Sequence, residues 1–139
     1  MQRLHILPFV LVICSTTAML VAKAVQTETP DVLAGKETYM EYCSACHGVD
    51  AKGMGPAASA LKTPPPDLTT LAKRHGGKFP EGYVAKTIRF GKPIQAHGSA
   101  DMPVWGPIFN VRDKFNEVAV RQRIKNLCEY LATLQEKES

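Results

Sequence analysis

Residues 43–47 read Cys-Ser-Ala-Cys-His, and no other stretch restricts the chain so severely. On a helical turn the two-residue spacer sets both thiols on one side, with an imidazole directly after the second. C-x-x-C-H is the attachment signature of a c-type haem. In that use the thiols of Cys43 and Cys46 add across the two vinyl groups of a porphyrin, and His47 supplies the proximal nitrogen to the iron. A bare C-x-x-C also serves as a redox dithiol or as half of a zinc site, and the adjoining histidine separates this pentapeptide from both.

The N-terminus puts the motif in an exported chain. Met1 to His5 is short and mildly basic, Ile6 to Val21 is apolar apart from Ser15, Thr16 and Thr17, and Ala22-Lys23-Ala24 has the small-x-small form of a signal-peptidase site. Residues 1–24 are therefore expected to be a signal peptide cleaved before Val25, which makes the protein periplasmic or otherwise exported. The alternative is a retained membrane anchor, for which the apolar run is at the lower limit of length. Cleavage leaves 115 of the 139 residues, and a chain of that size buries only about two-thirds of its unfolded surface. A rigid apolar porphyrin would be a large addition to so small a core. Arg3 and Lys23 leave with the leader, taking the formal net charge from +4 to +2. With no long basic run, nucleic acid is not an expected partner, and the residual charge favours an acidic protein partner only slightly. Cys14 leaves as well. Cys128 then remains alone in an apolar helical stripe, where it reads as a small buried hydrophobe.

Along the mature chain, residues 25–30 form a polar lead-in. Asp31 is a good N-cap, and Val32, Leu33, Lys36, Tyr39, Met40 and Cys43 follow at helical spacing, with Met40 expected in the core. Gly35 inside this helix is best explained by a second helix crossing closely, with Tyr39 on the same face. Gly48 stops the helix, and residues 48–70 lose the helical pattern, reading as a loop wrapped around something. A metal-bound histidine normally donates its other ring N–H to a carbonyl or carboxylate. The Pro56 carbonyl is the candidate acceptor, unless Pro56 is only a turn residue. A short helix follows over 67–75, capped by Asp67 or Thr69 and ended by Gly76-Gly77. Another begins at Pro80, with Tyr83, Val84, Thr87 and Ile88 along one face and Gly91 as its stop. Lys73, Arg74, His75 and Lys78 make a solvated basic cluster, the most plausible docking patch.

Residues 92–110 again read as loop. Met102, 55 residues after His47, can reach the opposite side of a haem and is the candidate distal ligand. His97 is its rival, and would give bis-histidine ligation. Met54 is too near His47 in sequence to cross the ring and is expected to pack on the proximal side. Trp105, the single tryptophan, needs an N–H acceptor if buried, either a haem propionate or a backbone carbonyl. Asn116 caps the last helix, where Val120, Ile124, Leu127, Cys128, Leu131 and Leu134 form one stripe and Arg121, Gln122, Arg123, Lys125 and Glu129 the other face. That stripe is the natural partner of Gly35 and Tyr39, with Tyr130 or Leu127 over the glycine. No run shows strand alternation.

Cys43-Ser44-Ala45-Cys46-His47-Gly48, Met54-Gly55-Pro56, Asp101-Met102-Pro103 and Leu127-Cys128-Glu129-Tyr130-Leu131 together resemble the class I c-type cytochromes, the small mono-haem bacterial kind. The resemblance covers residues 31–135 and leaves 136–139 as a tail. It implies an all-α cytochrome c fold of three to five helices with long loops enclosing one covalent haem c, its first and last helices crossing. It also implies iron held by His47 and Met102, with Cys43, Cys46, Pro56 and Trp105 completing the cofactor site. The implied function is one-electron transfer rather than catalysis, between redox protein donors and acceptors that include membrane respiratory complexes, by a monomer or a complex subunit. Two other readings stay open: a haem enzyme or sensor with an exchangeable distal site, and a haem-bearing subunit of a larger oxidase or dehydrogenase. The Lys62–Arg74 stretch with its three prolines departs from the family pattern, which gives it no role.

Overall fold

A computed structural model of the chain describes residues 29–91 and 102–137. Within them the fold is helical: α1 (Val32–Tyr42), α2 (Ser44–His47), a 3-10 turn (Ala58–Ala60), α3 (Leu71–Arg74), α4 (Glu81–Phe90), α5 (Trp105–Arg112) and α6 (Glu117–Thr133). Of these, α2 and α3 are single turns, so four longer helices carry the architecture. The leader over 1–24 and His97 lie outside the described residues. Among the described residues no helix is long and apolar enough to cross a membrane.

The frame is the pair α1 and α6, and both start as their sequences dictate. Asp31 Oδ1 accepts from the backbone N–H groups of Leu33 (2.9 Å) and Ala34 (3.1 Å), and Asn116 Oδ1 from those of Val118 (3.0 Å) and Ala119 (3.2 Å). Each cap satisfies two donors that the first helical turn leaves without partners. The helices touch at Gly35. A Cβ built there would lie 2.0 Å from the carbonyl oxygen of Asn126 and 2.9 Å from Tyr130 Cβ. Tyr130 was one of the two side chains expected over the glycine; the closer neighbour is the α6 backbone itself.

That approach turns α1 by one residue from its expected face. Gly35, Thr38 and Tyr39 are the buried positions, whereas Leu33 is 72% and Met40 41% exposed. The apolar residues of α1 lie beside the contact because the point of nearest backbone approach, not hydrophobicity, sets the rotation. On α6 the expected stripe is buried from Val120 to Leu131, Tyr130 joins it, and Cys128 is fully enclosed. Asn126 is buried too. Its Oδ1 accepts from the Asp31 N–H (3.0 Å) and from Gln122 Nε2 (2.8 Å), which fastens the start of α1 to the middle of α6.

Residues 105–112 form a helix, α5, where loop was expected. Gly106 and Pro107 are the residues that suggest a loop. Both stand in the first turn, where no intrahelical N–H bond is needed and proline costs little. Gly106 also admits the end of α4, since a Cβ there would sit 2.3 Å from the Arg89 carbonyl oxygen. After α5 the chain turns sharply through Lys114 (φ 52°) and Phe115 (φ 60°) into α6. Asp113 holds the turn by accepting two bonds from Arg123, at 2.9 Å and 2.5 Å. Arg123 was expected on the wet face; it is partly covered instead, with its guanidinium over the Phe109 ring at 5.6 Å.

Gly35→Ala is expected to force α1 and α6 apart and to lower stability by roughly 3 kcal/mol or more, read from denaturant unfolding of the haem-loaded protein. The hydrogen bonds from Arg123 hold the Asp113 carboxyl below its ordinary range, against the opposing effect of burial. Its unfolded value is about 3.9, so the stabilisation is present above about pH 4 and disappears as pH falls through the lower folded value. Asp113→Asn should therefore be less stable at neutral pH and show a shallower loss of stability below about pH 4; an acid limb like that of the unsubstituted protein would refute the assignment.

Candidate functional site

The site grows from the end of α1. Cys43 breaks the helix and starts the single turn of α2, in which the N–H groups of Cys46 (3.1 Å) and His47 (2.9 Å) both bond to the Cys43 carbonyl. Cys43 and Cys46 are free and half-buried. Burial pushes the Cys43 thiol up to about 12, with a smaller contribution from neighbouring Cys46. Cys43 is therefore an S–H group at neutral pH, the form that adds across a double bond with its proton going to carbon.

A turn this short leaves carbonyls without helical partners, and the following segment supplies donors to them. Gly48, at φ 81°, reverses the chain. The N–H groups of Gly53, Gly55 and Ala57 then bond to the carbonyls of His47 (2.7 Å), Cys46 (3.1 Å) and Ala45 (2.8 Å). Alternate residues of an extended strap thus face α2. The packing leaves no room for side chains at two of them: a Cβ on Gly55 would lie 2.3 Å from the Ala45 carbonyl oxygen, and one on Gly53 2.2 Å from that of Pro65. Tyr39, fully buried, donates from its hydroxyl to the Gly48 carbonyl at 2.6 Å.

His47 is 8% exposed, with Nδ1 at 3.3 Å from the carbonyl oxygen of Pro66. A carbonyl can only accept, so Nδ1 carries the proton in this contact, and Nε2 holds the lone pair that would bind iron. The acceptor expected from sequence was Pro56, and the structure corrects it. Pro56 lies exposed in the strap between the two residues that bond to α2. The chain must first run out through the strap and the 3-10 turn before it can return to the histidine. It returns at 65–68, where the Leu68 N–H bonds to the Ala51 carbonyl at 2.8 Å. The proline-rich stretch that lacked a role is the one that supplies the acceptor.

Gln135, just beyond α6, secures this return. Its Nε2 donates to the carbonyls of Leu68 (2.9 Å) and Leu131 (2.8 Å), while its Oε1 accepts from the Ala72 N–H (2.8 Å). No sequence signal marks an amide for this work. Met102 is half-buried and packed against the core. Trp105 opens α5, with its ring 5.3 Å from that of Tyr42 and 5.9 Å from that of Phe109. Met54, expected beside His47, is instead 83% exposed on the strap. His75 is exposed as expected, its ring 5.6 Å from that of Tyr83.

Two free thiols one turn apart and a buried imidazole whose Nδ1 faces a backbone carbonyl are the donor set a covalent haem requires. Fold and site together define a c-type haem protein. Residues 32–135 match the family model described as Cytochrome c, and the chain belongs to the cytochrome c family. It is a haem c electron-transfer protein. No match to the chain was found among curated proteins or among solved structures.

Gly53→Ala would push against Pro65 and would also strain a φ of 82°. It is expected to weaken the hydrogen bond from His47, making the imidazole a poorer donor to ferric iron. A redox titration should then give a higher reduction potential than that of the unsubstituted protein, with a lower denaturant midpoint.

Proposed function

We propose that the chain is an exported one-electron carrier whose haem iron is held between His47 and Met102. The observation that carries this reading is the built proximal side: His47 is buried, and a backbone carbonyl faces its Nδ1. An imidazole fixed in this way keeps its position when the charge of its iron changes, which is what a carrier needs. The chemistry that haem c supplies when bound is Fe(III)/Fe(II) exchange, with no bond made to a substrate. Cys43 and Cys46 would hold the ring through thioether bonds. Met102, already packed against the core, would fill the remaining axial position with a neutral thioether, which favours the reduced state and raises the potential. In this reading Trp105 covers one edge of the site.

The leader over 1–24 supports a periplasmic or exported location, because covalent attachment needs reduced thiols delivered outside the cytoplasm. Partners are then redox proteins, membrane respiratory complexes among them. The exposed basic group of Lys73, Arg74 and Lys78 favours acidic docking faces. Nucleic acid is no partner in this reading.

Optical spectra of the isolated protein test the proposal. A low-spin ferric form with the weak far-red band of an iron–thioether bond is expected, and Met102→Ala should abolish that band, lower the potential and admit cyanide. High-spin ferric iron and ready cyanide binding in the unsubstituted protein would favour an enzyme or sensor. An unaltered spectrum and potential in Met102→Ala would remove Met102 as the ligand. A mature N-terminus at Val25 by mass spectrometry would establish cleavage.

A further inference from the structure

Tyr42 is the last residue of α1 and directly precedes the first haem cysteine. Three residues on one face of α5 grip it. Trp105 and Phe109 meet its ring edge-on, each at 5.3 Å between centroids. Arg112, one turn further along, donates from Nη1 to the tyrosine hydroxyl at 2.6 Å and lies over the ring at 5.4 Å. The same Nη1 reaches Glu41 Oε1 at 2.8 Å. That ion pair is half-exposed on both sides and contributes little by itself, so the tyrosine is the main anchor. No Cα of α5 comes within 8 Å of a Cα of α1. Side chains alone therefore span the gap between these helices.

Location gives the grip its consequence. Tyr42 continues into the α2 turn that carries both thiols and His47. Trp105 follows Met102 by only three residues, and Pro103 stiffens the link between them. We propose that Tyr42, clamped by Arg112, is a positioning residue: it sets the spacing between the segment that presents His47 and the segment that presents Met102, and thereby holds the distal thioether in place. This rests on the reading of Met102 as the distal ligand. Tyr42 acts through α5 and need not touch the cofactor.

The test is imidazole binding to the ferric haem-loaded protein, followed optically as it displaces the distal ligand. With the clamp loosened, Tyr42→Leu should bind imidazole roughly tenfold more tightly, and Tyr42→Phe and Arg112→Gln a few-fold more tightly. The gain should vanish when each change is made in a Met102→Ala background, where no thioether remains to be held. Unaltered imidazole affinity in the folded single variants would overturn the proposal, as would a gain that persists without Met102. If Tyr42→Leu does not fold, the milder pair decides, since Arg112→Gln alters a surface side chain. Should Met102→Ala by itself retain the far-red band, the ligand assignment fails first and the clamp falls with it. Loss of the band there, with no effect from the clamp variants, rejects the clamp alone.

Discussion

The carbonyl of Asn126 occupies the space that a side chain at residue 35 would fill, and the rest of the structure hangs on that approach. It brings α1 and α6 together backbone to backbone and decides which residues of α1 are buried. Tyr39 is thereby enclosed against Tyr130, with ring centroids 5.5 Å apart, and its hydroxyl can reach the Gly48 carbonyl. The residue after His47 is thus tied to the helix pair. Burial of the tyrosine drives its pKa up, so the hydroxyl remains a donor at neutral pH. From the other end of α6, Gln135 holds the strand that faces His47. The segments on either side of His47 are thus secured from α1 and from the end of α6.

Much of this was legible in residue types alone. The haem motif, both N-caps, the α6 stripe and the need for a close crossing at Gly35 each follow from local rules with one dominant cause. The structure departs from local rules where a long-range contact competes with them. Gly106 and Pro107 look like loop until the first turn of α5 meets the end of α4 at Gly106. Met40 looks like core until the glycine contact fixes the rotation of α1. Arg123 sits at a position that pattern assigns to solvent, yet Asp113 and the Phe109 ring draw it inward.

Pro56 teaches a different lesson. Its closeness to His47 in sequence made it the natural acceptor, but a chain leaving a one-turn helix must first satisfy that helix's open carbonyls. Residues 53–57 are spent on doing so, and the acceptor comes instead from Pro66 after the loop has turned back. Asn126 and Gln135 had no sequence signal. An amide on a helix looks like surface until its partners are known.

The two sides of the proposed iron site are held by unlike means. Around His47 the restraints are main-chain hydrogen bonds and backbone contacts too tight for a Cβ, reinforced by the Tyr39 hydroxyl and the Gln135 amide, and these yield only if the local fold opens. On the Met102 side the residue packs against the core, and the neighbouring segment is held through side chains gripping Tyr42, with an exposed arginine as the outer member. Side-chain contacts at the surface break and reform more readily than a buried backbone ladder. A thioether is also a weaker and softer donor to ferric iron than an imidazole. If Met102 is the distal ligand as proposed, both considerations put the more labile bond on its side. For the proposed carrier this division would be favourable, because attachment and the His47 side would stay fixed while adjustment between oxidation states is confined to one flank, the flank that the proposed Tyr42 clamp would brace.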